Sequence, residues 1–288
     1  MKKVVAILLL YFAAATLTMV HGQSVDGNPN DFYKRTLIHE YAPQPLLYVR
    51  ESDVVWEKII WRTIDIREKF NHFFYYPLEV KGVGGRKNFA YTIWDAVVAN
   101  EITIYADDEM KIPIDNDAFV RQYTKPDTII LEIIDDDENY EYKTVLVPKE
   151  FNSEEVLQIK MKEAWYIDRQ ATEQYVRPLS LCITKELFKE IDGERDYIGS
   201  VELFWIPMQA MSTRTLMARH EAFIAENTAH LPTWEEVFNT RMFSSFVTRE
   251  SNVYNRTIVD YLTGSDAIIE ADRIENELLN ISLDMWEY

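Results

Sequence analysis

Ala164-Trp165-Tyr166-Ile167-Asp168 is followed by Arg169-Gln170-Ala171-Thr172-Glu173, and then by Gln174-Tyr175-Val176-Arg177-Pro178-Leu179-Ser180-Leu181-Cys182-Ile183. Aromatic and β-branched residues fill the two outer runs, and a polar segment separates them. Such a pattern reads as two strands joined by a turn. Working outward, Thr128 to Ile134 and Tyr140 to Val147 are also β-rich, and Asp135-Asp136-Asp137-Glu138-Asn139 turns between them. Val201 to Met208 adds another strand, and Glu101 to Ala106 a further one.

Helical signals lie between these strands. Pro232-Thr233-Trp234-Glu235-Glu236 is a helix start, with Thr233 as cap and Glu236 three residues on. Near the C-terminus, Ser265 caps a helix with Asp266 at its positive end. Ala271, Ile274, Leu278, Ile281 and Met285 then recur at three and four residues. This amphipathic helix docks on its own domain or offers a seam to a partner. Trp56, Ile59, Ile60 and Ile64 fall near helical spacing, which predicts mainly helix from Asp53 to about Asn71. Phe73-Phe74-Tyr75-Tyr76-Pro77 predicts a strand or extended segment, Ile93 to Ala99 a helix, and Asn152 with Glu155 a helix start. Tyr41-Ala42-Pro43-Gln44-Pro45 is extended, because proline disfavours helix in the residue before it. Helices and antiparallel hairpins without regular βαβ alternation make the class α+β.

The ends and the composition narrow the function. Lys2-Lys3, the apolar run Val4 to Ala15 and the small residue Gly22 describe a secretory signal peptide cut between Gly22 and Gln23. The segments expected are therefore 1–22 as signal, 23–50 as an extended lead, 51–150 as one α+β half and 151–288 as a second. The whole chain has 30 Lys+Arg against 48 Asp+Glu, a net charge of −18. Loss of Lys2 and Lys3 leaves 28 bases against 48 acids, a net of −20. That balance argues against a phosphate-backbone binder. The single cysteine, Cys182, lies in an apolar strand and reads as a small hydrophobe.

Two stretches read alike in the same order and suggest a degenerate duplication. One holds Trp61, Ile64-Asp65, Phe74-Tyr75-Tyr76-Pro77 and Ile93-Trp94-Asp95. The other holds Trp165, Ile167-Asp168, Phe204-Trp205-Ile206-Pro207 and Thr233-Trp234-Glu235. With 7 Trp in the chain, chance alignment competes with duplication.

No catalytic or metal signature emerges. The histidines lack ligand spacing, and Asp107-Asp108-Glu109 and Asp115-Asn116-Asp117 lack an EF-hand loop, so both read as solvated acidic turns. No Gly-x-Ser-x-Gly elbow exists. Gly82-Val83-Gly84-Gly85-Arg86-Lys87 lacks the Walker spacing and reads as a surface loop. Carboxylate pairs abound, which by itself carries no information. What stands out is a crowding of aromatics, Met and Arg in the last part: Trp234, Phe238, Arg241, Met242, Phe243, Phe246, Arg249, Tyr254, Arg256 and Tyr261. Most must be core, yet this is also the composition of interface hot spots. Arg241, Phe243, Phe246, Arg249, Tyr254 and Arg256 are the interaction candidates.

At these residues the chain resembles a known family. Val55-Trp56-Glu57-Lys58, Trp61-Arg62, Ile64-Asp65-Ile66-Arg67-Glu68-Lys69 and Tyr75-Tyr76-Pro77 resemble the start of the GldN/PorN family, the gliding-motility and type IX secretion protein N of Bacteroidota. Lys162 to Gln170, containing Trp165 and Asp168, resembles its central motif. Arg241 to Phe246 and Glu250 to Arg256 resemble its C-terminal motif. Trp56, Trp61, Asp65, Tyr76, Pro77, Trp165 and Asp168 form the core of these motifs. The resemblance implies no catalytic residue and no cofactor. It implies a periplasmic subunit at the inner face of the outer membrane, joined in a ring with a K-type lipoprotein and coupled to an M-type motor protein. Asp127-Thr128-Ile129 also fits a short O-glycosylation pattern of exported proteins from that phylum, with an ordinary strand start as the competing reading. The alternatives carried forward are a periplasmic carboxylate-dependent glycoside hydrolase or glycan-binding protein, with convergent acids in a deep pocket, and a solute-binding module with an apolar cleft between two domains.

Overall fold

The computed structural model describes residues 42–82, 86–134, 140–147, 149–171, 173–191, 194–222, 224 and 231–285. The expected signal segment with Gly22 and Gln23, most of the expected extended lead and residues 135–139, where a turn is expected, lie outside the described residues. The fold is α+β, as its sequence pattern predicts. Its centre is a seven-stranded antiparallel sheet made of β1 (Val54–Asp65), β2 (Ile104–Tyr105), β3 (Pro113–Ile114), β6 (Val156–Asp168), β7 (Glu173–Ile191), β8 (Glu194–Pro207) and β9 (Phe246–Glu250). Their order is β3-β2-β8-β7-β6-β1-β9. Strands from both sides of residue 150 share this sheet. β4 (Asp127–Ile134) and β5 (Tyr140–Val147) pair separately as a hairpin, and Thr128 lies in β4 opposite Leu146.

The register explains the core. Arg62, Met161, Leu181 and Ile206 form one rung across β1, β6, β7 and β8, and Ile64, Ile159, Ile183 and Phe204 form the next. Side chains of a rung share one face. All eight are buried. The helices α1 (His72–Tyr75), α2 (Phe89–Val98) and α5 (Trp234–Asn239) supply the aromatic cover. Trp234 has ring centroids of Phe74, Phe89 and Phe73 at 5.3, 5.0 and 6.0 Å, and Phe238 lies 5.5 Å from Phe89. α2 starts where Asn88 accepts from the N–H of Tyr91 at 2.8 Å, and α5 where Thr233 accepts from the N–H of Glu236 at 3.2 Å. α3 (Asn116–Tyr123) and α4 (Met211–Arg219) complete the middle of the chain. Cys182 is fully buried in β7, and burial pushes its thiol up.

The C-terminal helix α6 (Ser265–Asp284) runs as expected, with Gly264 rather than Ser265 at the cap position. Its Ala271, Ile274 and Leu278 pack on Ile60, Val247 and Ile258, a cluster separate from the larger core.

Four sequence readings are corrected. The helix expected over Asp53 to Asn71 is instead strand β1 over Val54–Asp65, followed by a 3₁₀ turn at Lys69–Asn71. Val54, Val55, Ile59, Ile60, Thr63 and Ile64 are β-branched and favour a strand, while a charged residue, Arg62, occupies an inward position and hides the period of two. Phe73–Tyr75 belong to the helical turn α1, not to a strand, and a cis peptide bond joins Tyr76 to Pro77. Asn152 does cap, accepting from the N–H of Glu154 at 3.0 Å, but only a 3₁₀ turn, Ser153–Glu155, follows before β6 begins. The duplication as aligned does not hold. Its middle motif is helical turn at Phe74–Tyr75 and strand at Phe204–Pro207, and β7 and β8 precede the helices of the second stretch alone.

Candidate functional site

Adjacent residues of β1 enter two different clusters, because successive side chains of a strand point to opposite faces. Lys162, Trp61 and Arg249 are cross-strand partners on β6, β1 and β9. The Arg249 guanidinium lies 3.5 Å from the Trp61 ring centroid, and the Lys162 ammonium 5.2 Å from it. The indole N–H of Trp61 donates to Asp108 Oδ2 at 2.8 Å. Asp108 also pairs with Arg249 at 3.3 Å and Lys162 at 3.5 Å. Two cations thus flank one indole, and one carboxylate bridges all three. Cation–π contact of this kind contributes about 0.5–2 kcal/mol, more when water is excluded.

On the other face Arg62 turns inward. Its Nε donates to Glu163 Oε2 at 3.1 Å, and its guanidinium also pairs with Glu275 of α6. Glu163 is 2% exposed, accepts from the Trp165 indole N–H at 3.0 Å and pairs with Arg241. Arg241 stands in the left-handed region at φ 57°, in the turn after α5, and its guanidinium lies 5.2 Å from the Trp165 ring. Burial makes the Arg241 proton easier to lose, and Glu163 opposes this; a guanidinium so placed stays charged. One buried acid therefore holds two arginines and a tryptophan. Lys58 adds pairs to Glu250 at 2.7 Å and to Glu277 of α6 at 3.5 Å. α6 is fixed to the sheet by this charge lattice and by its small apolar cluster.

Beside α6 lies an open groove of about 940 Å³. Trp61, Arg249, Asp108 and the Lys160–Glu202 pair form its polar wall; Phe246, Val259 and Ile268 form its apolar rim. Phe246 is 44% exposed, Val259 71% and Ile268 66%. Asp107, also in the wall, is held low by the N–H groups of Ile112 and Lys111. Among the described residues no three His, Cys, Asp or Glu side chains converge as a metal site.

The sequence candidates divide. Trp61, Phe246 and Arg249 meet in the groove, and Trp165 and Arg241 meet on Glu163. Phe243 is buried in the larger core, 5.8 Å from Phe238. Trp56 packs against the α6 cluster. Tyr254 is exposed, with the Arg256 guanidinium 4.4 Å from its ring and 5.6 Å from that of Tyr261. Asp65 binds Arg67 at the end of β1, Asp168 accepts from the N–H of Gln170, and Tyr76 and Pro77 join neither cluster. Sequence reasoning missed Asp108, Lys162, Arg62 and Glu163 as site residues. Asp108, read as part of a solvated turn, is instead the bridging carboxylate. Glu163 stands two residues before Trp165, and an inward charge in a strand is the signal that marks it.

The class of protein defined here is an α+β domain with a seven-stranded antiparallel sheet and a groove flanked by its C-terminal helix. The model of one family, the gliding motility associated protein GldN, matches residues 49–287, and the chain belongs to that family. It is therefore a component of the gliding-motility and type IX secretion apparatus. The curated proteins include no match to the chain. Among the described residues no helix is long and apolar enough to cross a membrane.

Proposed function

We propose that the chain is a non-enzymatic structural subunit that works in the periplasm at the inner face of the outer membrane, after removal of residues 1–22. It forms a ring with copies of itself and with a K-type lipoprotein, and couples that ring to the M-type motor protein. The contact face runs from the groove, with Phe246 and Arg249, to Tyr254 and Arg256. Arg241 and Phe243 act from beneath, holding the turn that carries β9.

The observation that supports this reading is the apolar rim of Phe246, Val259 and Ile268 beside charges that already satisfy one another. Covering such a face removes apolar surface from water without stranding a charge. Hydrolysis fits the same groove poorly. Asp108 and Glu202 are occupied by cations and indoles, and Asp107 is held low, whereas a general acid needs a carboxyl group pushed up.

Affinity capture of the tagged full chain from its native envelope, with mass spectrometry, tests the proposal. The expected result is a large assembly containing the lipoprotein. A chain that stays monomeric beside that lipoprotein contradicts it.

A further inference from the structure

Residues 42–50, ahead of β1, form neither helix nor strand. Pro43 and Pro45 hold the chain extended around Gln44. The side chains of this arm stand largely in solvent, with Leu47 62% and Tyr48 87% exposed. Its backbone is what the protein grips. Arg214 of α4 and Glu235 of α5 are both buried and pair through bonds of 2.7 and 3.0 Å. The Gln44 N–H donates to Glu235 Oε2 at 3.1 Å, and the Gln44 carbonyl accepts from Arg214. Further along, the Leu47 carbonyl accepts from Arg177 at 2.8 Å. A cavity of about 240 Å³ lies at this point, and Ala42, Gln44 and Glu236 are among its lining residues.

A buried ion pair repays its desolvation only with further hydrogen bonds, and Gln44 supplies one to each partner. It does so with atoms that nearly every residue carries. The site therefore reads main chain, as peptide-binding clefts do when they take an extended segment. It has no means of telling an arm of its own chain from the same arm of another.

We propose that the Arg214–Glu235 pair is an arm-binding site, and that in the assembled protein it receives residues 42–50 of a neighbouring copy. The identity of the occupant rests on the self-association proposed above. Two observations favour it. Ala42-Pro43-Gln44-Pro45-Leu46-Leu47-Tyr48-Val49 carries no charge, in a chain of net charge −18. With Arg50 the arm carries no negative charge, so it lets two acidic copies touch without adding repulsion. Within one chain the arm also leaves Leu46, Leu47 and Tyr48 uncovered, a run that a neighbouring surface would bury. Exchange keeps every clamp contact, so high local concentration in an assembly suffices to drive it. Each copy gives one arm and takes one, a head-to-tail relation compatible with a ring when the rotation between copies closes.

Two variants of the full chain, each with one added cysteine, test this, Ala42→Cys carrying one tag and Glu236→Cys carrying another. Both positions line the clamp cavity, and the natural Cys182 is buried. The variants are mixed, allowed to assemble and treated with a short bismaleimide. A covalent heterodimer in the assembled fraction is expected. The double variant, Ala42→Cys with Glu236→Cys, reports the arm within one chain. Cross-linking in the double variant, with none between copies in a fraction that light scattering shows to be assembled, overturns exchange and leaves self-association standing. No cross-link in either sample overturns the clamp. A chain that remains monomeric by light scattering fails both the exchange and the self-association on which it rests.

Discussion

Trp234 and Leu278 sit in two apolar clusters of unequal build. Around Trp234, the rings of Phe73, Phe74 and Phe89 close on the sheet with hardly a charge among them. Around Leu278 the apolar cluster is small, and Arg62–Glu275 and Lys58–Glu277 tie the helix down beside it. The first region is held by packed volume, which is insensitive to salt. The second is held by a thin apolar seam and ion pairs at the margin of an open groove. The difference sets a tightly packed core against a salt-sensitive seam beside a groove, and substitutions in each should have different consequences.

The largest effects should fall in the first region and beneath the second. Trp234→Ala should destabilise the whole domain by about 3–5 kcal/mol, seen as a lower midpoint in denaturant for every spectroscopic probe. Glu163→Ala should approach that loss, because it strands Arg62 and Arg241 together; breaking a buried pair costs about 3–5 kcal/mol. If its midpoint matches that of the unchanged protein, the lattice under α6 carries no weight.

Leu278→Ala should cost about 2–5 kcal/mol locally. Hydrogen exchange of α6 should accelerate while the amides of α2 keep their protection. Uniform acceleration in both helices would merge the two regions into one. Trp61→Phe keeps a ring for Arg249 but deletes the donor to Asp108, a loss of about 1.5–3 kcal/mol for a bond to a charged group. Its midpoint should fall less than that of Glu163→Ala.

The smallest effect lies at the far end of β1. Partial burial raises the proton affinity of Asp65, but hydrogen bonds from the Arg67 side chain and N–H outweigh it and hold the carboxyl group below the usual range. A depressed carboxylate stabilises the fold above its unfolded pKa of about 3.9, and that contribution is lost as pH falls through the lower folded value. Asp65→Asn should therefore lose less stability than the unchanged protein on going from pH 5 to pH 3. Parallel acid titrations of the two would remove Asp65 from the explanation.

Much of the fold was legible in local pattern. The hairpin of β6 and β7 announces itself through strand-forming residues around a polar turn, and α6 through Ala271, Ile274 and Leu278 on one stripe. α5 is legible from Thr233 with Glu236 three residues on, and the Thr233 hydroxyl accepts from the N–H of Glu236. β1 was not legible, because Arg62 holds an inward position that Glu163, 101 residues away, and Glu275, 213 residues away, make tolerable. Local propensity has no access to those pairings. The same holds for the site. Trp61, Phe246 and Arg249 stood out by residue type, whereas Asp108 looked like any acid in a turn until the sheet brought it to the Trp61 indole. The strand order that sets β9 beside β1 is a long-range fact, and the groove exists only because of it.

The reading of the groove as the docking face is tested most directly by Ile268→Asp, an exposed change on its rim. The variant is captured from its native envelope and its melting temperature is measured beside that of the unchanged protein. Loss of the large assembly with unaltered melting is the predicted result. Full recovery of the assembly with its partners would contradict the assignment of this face.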